Sequence, residues 1–535
     1  MKWYRLGLLG LVFLIFSSCT KSCKKAHDNE AVINIDIAQP IESLDPRYAT
    51  SAAASRVAKL IYAPLFEIDN DSSPQAFLAE SLQVLDEKTI KVVLRKNLFF
   101  HDGSLLTAAD VAYTFQQLGS ADVASPHAEK FEYLENIKAL NDSEVVFELK
   151  RPHAPFLTDL SAIGIVSKKA CEARSQQCRH ENIGSGPFQL ATWDTAKESI
   201  RLKPFAQWFE GTPKNELLIR IVRDENTSIL ELIGRKADLI EGDISPSNMP
   251  ELKKHAHLTV EQIPGLGYAY LAFNVRGARS DEPHNTPQYT TRQALANKLV
   301  RRAIAQAIDF DQIIEKLYLN TATRVSGLIP NGHWMKDASL KAPTFDPSAS
   351  EKLLDEAGFK RSSPDNMRFK LTIATTPNRL RQNATQLYAD FLKRVGIDAS
   401  IRVKEWSALY DDMKKGQFEL FSAIWVPVTD PDLYHFVHHS SSIPDGDKGG
   451  GNRHGYKNPE VDRLIELGRT TLDLEKRKAI YQEIERKLIE DLPYIPLWNE
   501  HRIIVFNNEK LRGVKASPTG SLLWLRNVES ASHTK

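Results

Sequence analysis

Hydrophobic positions along the chain follow two periods, one near two and one between three and four, and the switches between them predict alternating strands and helices. Ala31 to Ala38 (AVINIDIA) has apolar residues on alternate positions and ends in the turn Ser43-Leu44-Asp45-Pro46. In Thr89 to Phe115, Ile90, Val92 and Leu94 alternate with Lys91, Val93 and Arg95, and Asp102-Gly103 then supplies a turn. Thr107 and Asp110 have capping-box spacing for a helix carrying Val111 and Phe115 on one face. Further strands are predicted at Phe188 to Thr192, Leu217 to Val222, Tyr270 to Asn274, Phe369 to Thr375, Ser400 to Val403 and Ile503 to Phe506. A helix is predicted from Lys298 to Leu317, with Val300, Ile304, Ala307 and Ile308 at helical spacing. Two more run from Ser350 to Phe359 and from Leu380 to Val395, ended by Gly358 and Gly396, and Ile480, Ile484 and Leu488 form a further stripe. The polar segment 276–297 reads as an insertion or long loop. Strand, helix, strand in this order is a parallel α/β unit.

A chain of 535 residues has room for two or three domains with ample core. Its 42% hydrophobic and 26% charged residues are ordinary for a soluble globular protein. Lys plus Arg is 69 and Asp plus Glu 68, so no global field favours nucleic acid or anionic lipid. The N-terminus changes this picture. Lys2 and Arg5 precede an apolar run from Leu6 to Phe16, too short to span a bilayer comfortably and suited to a signal sequence. Ser17-Ser18-Cys19 resembles a bacterial lipobox, with Phe16 where an aliphatic residue is usual; an ordinary secretory peptide cut near Ser18 is the alternative. Lipid on Cys19 would anchor the chain by about 0.8 kcal/mol per buried methylene. The polar residues 20–31 then read as a tether. In a chain that leaves the cytosol, Cys171 and Cys178 are expected to form a disulfide, worth roughly 2.5 kcal/mol by loop closure, with Cys23 left over. No Cys-x-x-Cys pair points to structural zinc.

Phe100-His101-Asp102-Gly103, then Leu106-Thr107-Ala108 and Asp110-Val111, resembles the signature of bacterial solute-binding proteins of family 5, the dipeptide, oligopeptide and nickel-chelate binders of ABC importers. Companion phrases follow in order over roughly residues 31–525, among them Ile61-Tyr62-Ala63-Pro64-Leu65, Gly184-Ser185-Gly186-Pro187-Phe188, Tyr270-Leu271-Ala272-Phe273-Asn274 and Ala307-Ile308-Asp309. The resemblance implies an α/β, periplasmic binding protein-like (class II) fold: two large lobes joined by a hinge, plus a smaller extra lobe. It divides the chain into a signal peptide (1–18), a tether (19–30), lobe I (31–61, 184–274 and 493–535), the small lobe II (62–183) and lobe III (275–492), with Asn274 near the hinge. It further implies a monomeric, lipid-anchored receptor on the periplasmic face of the bacterial cell envelope. Such a receptor captures peptides between its lobes and hands them to an ABC permease in the inner membrane, without cofactor, nucleic acid or catalysis. The chain has no Walker motif of its own, Gly184 to Gly186 lack the Lys-Ser/Thr of a phosphate loop, and no Ser-His-Asp or paired-carboxylate spacing marks a hydrolase.

Ligand identity should be written in Ala423 to Leu433 (AIWVPVTDPDL), where Trp425, Asp430 and Pro431 match the family phrase. The Asp that holds a peptide's ammonium in relatives is replaced here by Pro427. Asp430 either substitutes for it or caps the turn before Pro431, and Trp425 is either a cleft wall or core. Thr429, Trp406 and Tyr48 complete the candidate ligand-binding set. His435 and His439 are four apart on one helix face, which suits either a transition metal or solvated loop histidines. Beside peptides, the same fold binding a metal chelate or other small solute, or a non-transporting sensor or tether, stays open at this level.

Overall fold

The computed structural model describes residues 32–531 apart from 121, 175–180, 243, 278–282, 285, 364, 426–427 and 445–449. The segment expected to be a signal sequence, with Cys19 and Cys23, falls outside the described residues, as do Cys178 and Pro427. Among the described residues no helix is long and apolar enough to cross a membrane.

One 12-stranded mixed sheet runs through the molecule. Its first half is built around Val32–Ile37, which pairs in parallel with Glu216–Ile221 on one side and Leu239–Glu241 on the other. Its second half places Phe369–Thr375 in parallel between Ile397–Val403 and Leu420–Trp425. Parallel neighbours need a crossover, supplied by helices Glu225–Ile233 and Arg379–Arg394. The predicted α/β units therefore form. A separate antiparallel sheet, in the order Ala79–Asp86, Thr89–Leu94, Glu144–Leu149, Leu134–Ala139, makes the small lobe. Helix Ala108–Leu118 packs on it, starting where the Thr107 amide donates to Asp110 Oδ2 at 2.9 Å.

The two halves of the large sheet share one strand. Tyr494–Asn507 pairs through its first residues with Tyr268–Phe273 and through its last with Leu258–Pro264. At the junction the Gly265 amide donates to the Glu500 carbonyl at 3.2 Å, and Asn499 Nδ2 donates to the Gly267 carbonyl at 2.7 Å. The chain thus passes between the lobes twice, side by side, at Gly265–Gly267 and Asn499–Glu500. A Cβ on Gly265 would fall on the Glu500 carbonyl oxygen, so the close approach of the two crossings requires glycine there. This corrects the expected position of the hinge. Tyr268–Phe273 already belongs to the second lobe, fully buried, with Leu271 and Phe273 in one core and Tyr270 and Ala272 in the core on its other face. Asn274 lies at the far end of that strand, where its Nδ2 donates to the carbonyls of Gly416 and Phe418.

Three predicted elements differ in extent. The helix expected over 298–317 is two, Lys298–Ala307 and Phe310–Lys316, because Asp309 caps the second by accepting from the Gln312 amide. The polar segment expected to be a loop contains helix Pro287–Ala296, capped by Thr286 with Pro287 at its first position. The strand expected at 503–506 is the end of the 14-residue Tyr494–Asn507, whose pattern Pro496 interrupts opposite a bulge between Ala269 and Tyr270.

The two most distinctive sequence phrases meet in space. His101 is clamped to the glycine turn, with its Nδ1 accepting from the Gly184 amide at 3.3 Å and its Nε2 3.1 Å from the Gly186 carbonyl oxygen. Burial pushes its imidazole down to about 4, so the ring stays neutral and acts as a structural clamp. A Cβ on Gly184 or Gly186 would collide with the backbone at Leu60 and Ile61, so these glycines let the turn lie against a helix end. Both motifs are therefore architectural.

Candidate functional site

A cavity of about 840 Å³ lies between the lobes and is lined by all three of them. Its volume is in the range of ligand-binding clefts. One wall is helix Ala52–Ile61. Ser51 caps this helix, its side chain accepting from the Ala54 amide at 3.1 Å. Val57, Leu60 and Ile61 are buried beneath it, while Ala52, Ser55, Arg56 and Lys59 recur at i, i+3, i+4 and i+7 and face the cleft. The opposite wall comes from lobe III through Arg379, Ile424, Trp425 and Thr429. The back is the hinge itself, Gly265–Gly267 with Glu500 and Arg502. Thr158 and Lys130 of the small lobe close one side.

Most of the charges in the cleft are paired. Arg56 meets Glu241 at 2.6 Å, and Arg502 meets the same carboxylate. Lys130 lies 3.1 Å from Asp159, and Glu67 is held by Arg526 at 3.4 Å. Lys59 and Glu500 take part in no ion pair among the described residues. Burial, with the charge of Lys130 adding to it, pulls the Lys59 ammonium down to about 8. Burial likewise raises the Glu500 carboxyl, against the pull of Arg381. Two opposite, incompletely compensated groups thus face one cavity, an arrangement that favours a ligand carrying both charges.

The residues singled out from sequence divide around this cavity. Trp425 and Thr429 line it. Trp425 is also core: its ring stacks on Tyr270 at 5.8 Å, Arg453 sits 4.9 Å from its centroid, and its buried Nε1 has no hydrogen-bond partner among the described residues. Asp430 does not line the cleft. Arg477 grips its carboxylate with bonds of 2.7 and 3.0 Å, the Asp432 amide donates to it at 2.7 Å, and the Thr158 hydroxyl at 3.2 Å. Burial opposes its ionisation, but Arg477 outweighs burial and holds the carboxyl below the usual range. The turn-capping reading of Asp430 is the one that its contacts support. Trp406 is 47% exposed on helix Trp406–Lys414, and Tyr48 packs against Arg47; neither lines the cleft. His435 and His439 are also outside it, on and just past helix Leu433–His438 beside Glu466. Cys171 is buried and disulfide-bonded. Sequence reasoning missed Arg56, Lys59, Glu241 and Glu500. Only the polar stripe on the first helix could have revealed any of them.

Two interleaved α/β lobes, a double crossing and a cleft that spans the crossing define the class: a hinged, periplasmic binding protein-like fold. Comparison with known proteins places the chain within that class. Residues 73–445 match the family described as Bacterial extracellular solute-binding proteins, family 5 Middle, and the chain belongs to that family. Oligopeptide-binding protein AppA of Bacillus subtilis (strain 168) is 27% identical over 536 residues, covering 95% of this chain and 92% of that protein. Among solved structures, the ABC transporter substrate-binding protein CtaP of Listeria monocytogenes superposes with a TM-score of 0.81 at 23% identity, over 94% of this chain and 99% of that one. AppA of Bacillus subtilis in complex with a nonapeptide gives 0.71 at 24% identity, over 94% and 99%. The fold is the one these proteins share.

Proposed function

We propose that this protein is the extracytoplasmic receptor of an ABC importer, that it captures peptides in the interlobe cleft, and that hinge closure presents the loaded form to a membrane permease. The observation that carries this reading is the presence of Lys59 and Glu500, each without an ion-pair partner among the described residues, in the lining of one cavity of about 840 Å³. A peptide with free termini supplies a carboxylate for the first and an ammonium for the second. Glu500 thereby takes the role lost where Pro427 replaces the ammonium-binding Asp of relatives. Arg379, on the facing wall, offers a further donor to backbone carbonyls or acidic side chains of the ligand. Binding is noncovalent. The closed form is favoured by whatever differential affinity the peptide has for it, and no bond is made or broken. Cys19, carrying lipid, would hold the receptor to the membrane while the tether frees its body.

Calorimetric titration with a panel of di- to nonapeptides tests this. At least one peptide with free termini is expected to bind, more weakly by about 10-fold or more when N-acetylated or C-amidated. Lys59→Met should abolish discrimination against the amide, and Glu500→Gln discrimination against the acetyl group. Failure of every peptide, with saturable binding of a nickel–histidine chelate instead, would replace the peptide reading with the chelate one. Anchoring is tested separately: Cys19→Ala should release the protein from the membrane fraction.

A further inference from the structure

Outside the cleft, two helices of lobe III bring together three side chains with metal-binding chemistry. His435 lies in helix Leu433–His438 and His439 follows as its C-terminal cap. Four residues apart, the two imidazoles share a face, with ring centroids 4.7 Å apart and planes inclined by 23°. Helix Pro459–Thr470 lies alongside and presents Glu466 to both. Glu466 Oε1 is 3.4 Å from His435 Nε2 and 3.5 Å from His439 Nε2. One ligand atom from each of the three residues falls within 4.8 Å of the others.

We propose that His435, His439 and Glu466 form a site for a divalent transition ion such as Zn²⁺ or Ni²⁺. Tetrahedral ligands at about 2.0–2.1 Å from an ion stand roughly 3.3 Å from one another. The two imidazole–carboxylate separations already match that edge, and the two imidazole nitrogens, within 4.8 Å of each other, close toward it when the ion binds. Two neutral imidazoles and one carboxylate are the donor set of open zinc sites, with three protein ligands and a remaining position for water or a small chelator. Side-chain exposures of 26, 14 and 46% leave the site reachable from solvent on the Glu466 side.

The surroundings shape its strength. The Ser441 hydroxyl lies 2.7 Å from His439 Nδ1. When Nε2 binds an ion, the ring proton moves to Nδ1, and this hydroxyl accepts it in place of the bond that the Ser441 amide makes to the same nitrogen at 3.1 Å. Arg469 competes for Glu466 at 3.7 Å, but its stronger bond, 2.8 Å, is to Asp432. Binding an ion therefore exchanges a weak ion pair for a coordination bond and staples the two helices together.

Titration of metal-stripped full-length protein with ZnCl₂, and separately with NiCl₂, tests the site in the absence of peptide. One ion per chain is expected, with Zn²⁺ raising the melting temperature of the wild type. His439→Ala and Glu466→Gln, each compared with its own metal-free melting temperature, should each weaken that binding about 10-fold or more and remove the thermal shift. No saturable uptake by the wild type overturns the proposal. So does uptake that survives both substitutions, which would place the ion elsewhere, in the cleft or on the N-terminal cysteines. Peptide binding by either variant is expected to stay at the wild-type level, so this result and the peptide result are independent.

Discussion

Glu485 shows how much a single residue can organise. Its carboxylate lies inside lobe III, 1% exposed, where it accepts from the Tyr434 hydroxyl at 3.0 Å and the Ile329 amide at 3.2 Å and faces Lys336 at 3.5 Å. Gly327 packs against it so closely that a Cβ there would strike the carboxylate. Removing one partner of a buried ion pair leaves the other unpaired, so Glu485→Ala is expected to destabilise the protein by about 3–5 kcal/mol in urea unfolding. Lys59 makes the opposite prediction. Its folded pKa, about 8, lies below the ordinary value of 10.5, so only between those two values does the unfolded chain hold a proton that the folded one has lost. The ligand-free protein is therefore penalised below about pH 8 and relieved as pH rises through that value. Lys59→Met should melt higher than wild type at pH 7, with the gap narrowing by pH 9, while wild-type affinity for a free-carboxylate peptide falls over the same rise in pH. These residue roles were poorly legible in the sequence. Asp430 stood in a ligand-binding phrase, yet Arg477, 47 positions on, claims it. Lys59 and Glu500 sit hundreds of positions apart, and only the topology brings them to one cavity.

At the scale of elements, local signals worked wherever local physics decided the outcome. The strand over 369–375, the glycine-ended helices and the capping box at Thr107 all stand where period and turn chemistry put them. The failures came from caps and bulges inside longer patterns. Asp309 split a helix, Thr286-Pro287 began one in a polar stretch, and Pro496 masked a continuous strand whose ladder bends at its partner. Thr286 before Pro287 was a readable start signal that overall polarity concealed. The hinge is the element with most at stake. Gly265→Ala would push the paired crossings apart at the Glu500 carbonyl, so it is expected to lower the melting temperature and to displace the neighbouring Glu500 side chain. Peptide affinity should fall by about 10-fold, measured by calorimetry, whereas Gly358→Ala, strained at its φ of +92° but outside the cleft lining, should cost stability and leave affinity intact.

For the whole molecule, the lobes touch at more than the hinge. The Ala154 amide of the small lobe donates to the Arg469 carbonyl at 2.8 Å, the Trp334 amide of lobe III to the Asp71 carbonyl at 3.2 Å, and Thr158 to Asp430. These bonds between lobes are contacts that the proposed hinge opening would have to break. Small-angle scattering should show the peptide-free protein with a larger radius of gyration than the peptide-bound one. An unchanged radius would remove hinge closure from the mechanism. The fold class was legible because motif phrases recur along nearly the entire chain. The cleft was not, because no single phrase contains it.

The shared strand has a consequence for how the protein comes into being. Tyr494–Asn507 is central to both halves of the large sheet, yet it is synthesised after every strand that it pairs with. Until it arrives, Tyr268–Phe273 and Leu258–Pro264 each lack a neighbour along one edge, and those edges stay exposed and adhesive. Completion of the two lobes is thus a single late event, and a nascent chain stalled just short of it would be a natural client for a holding chaperone.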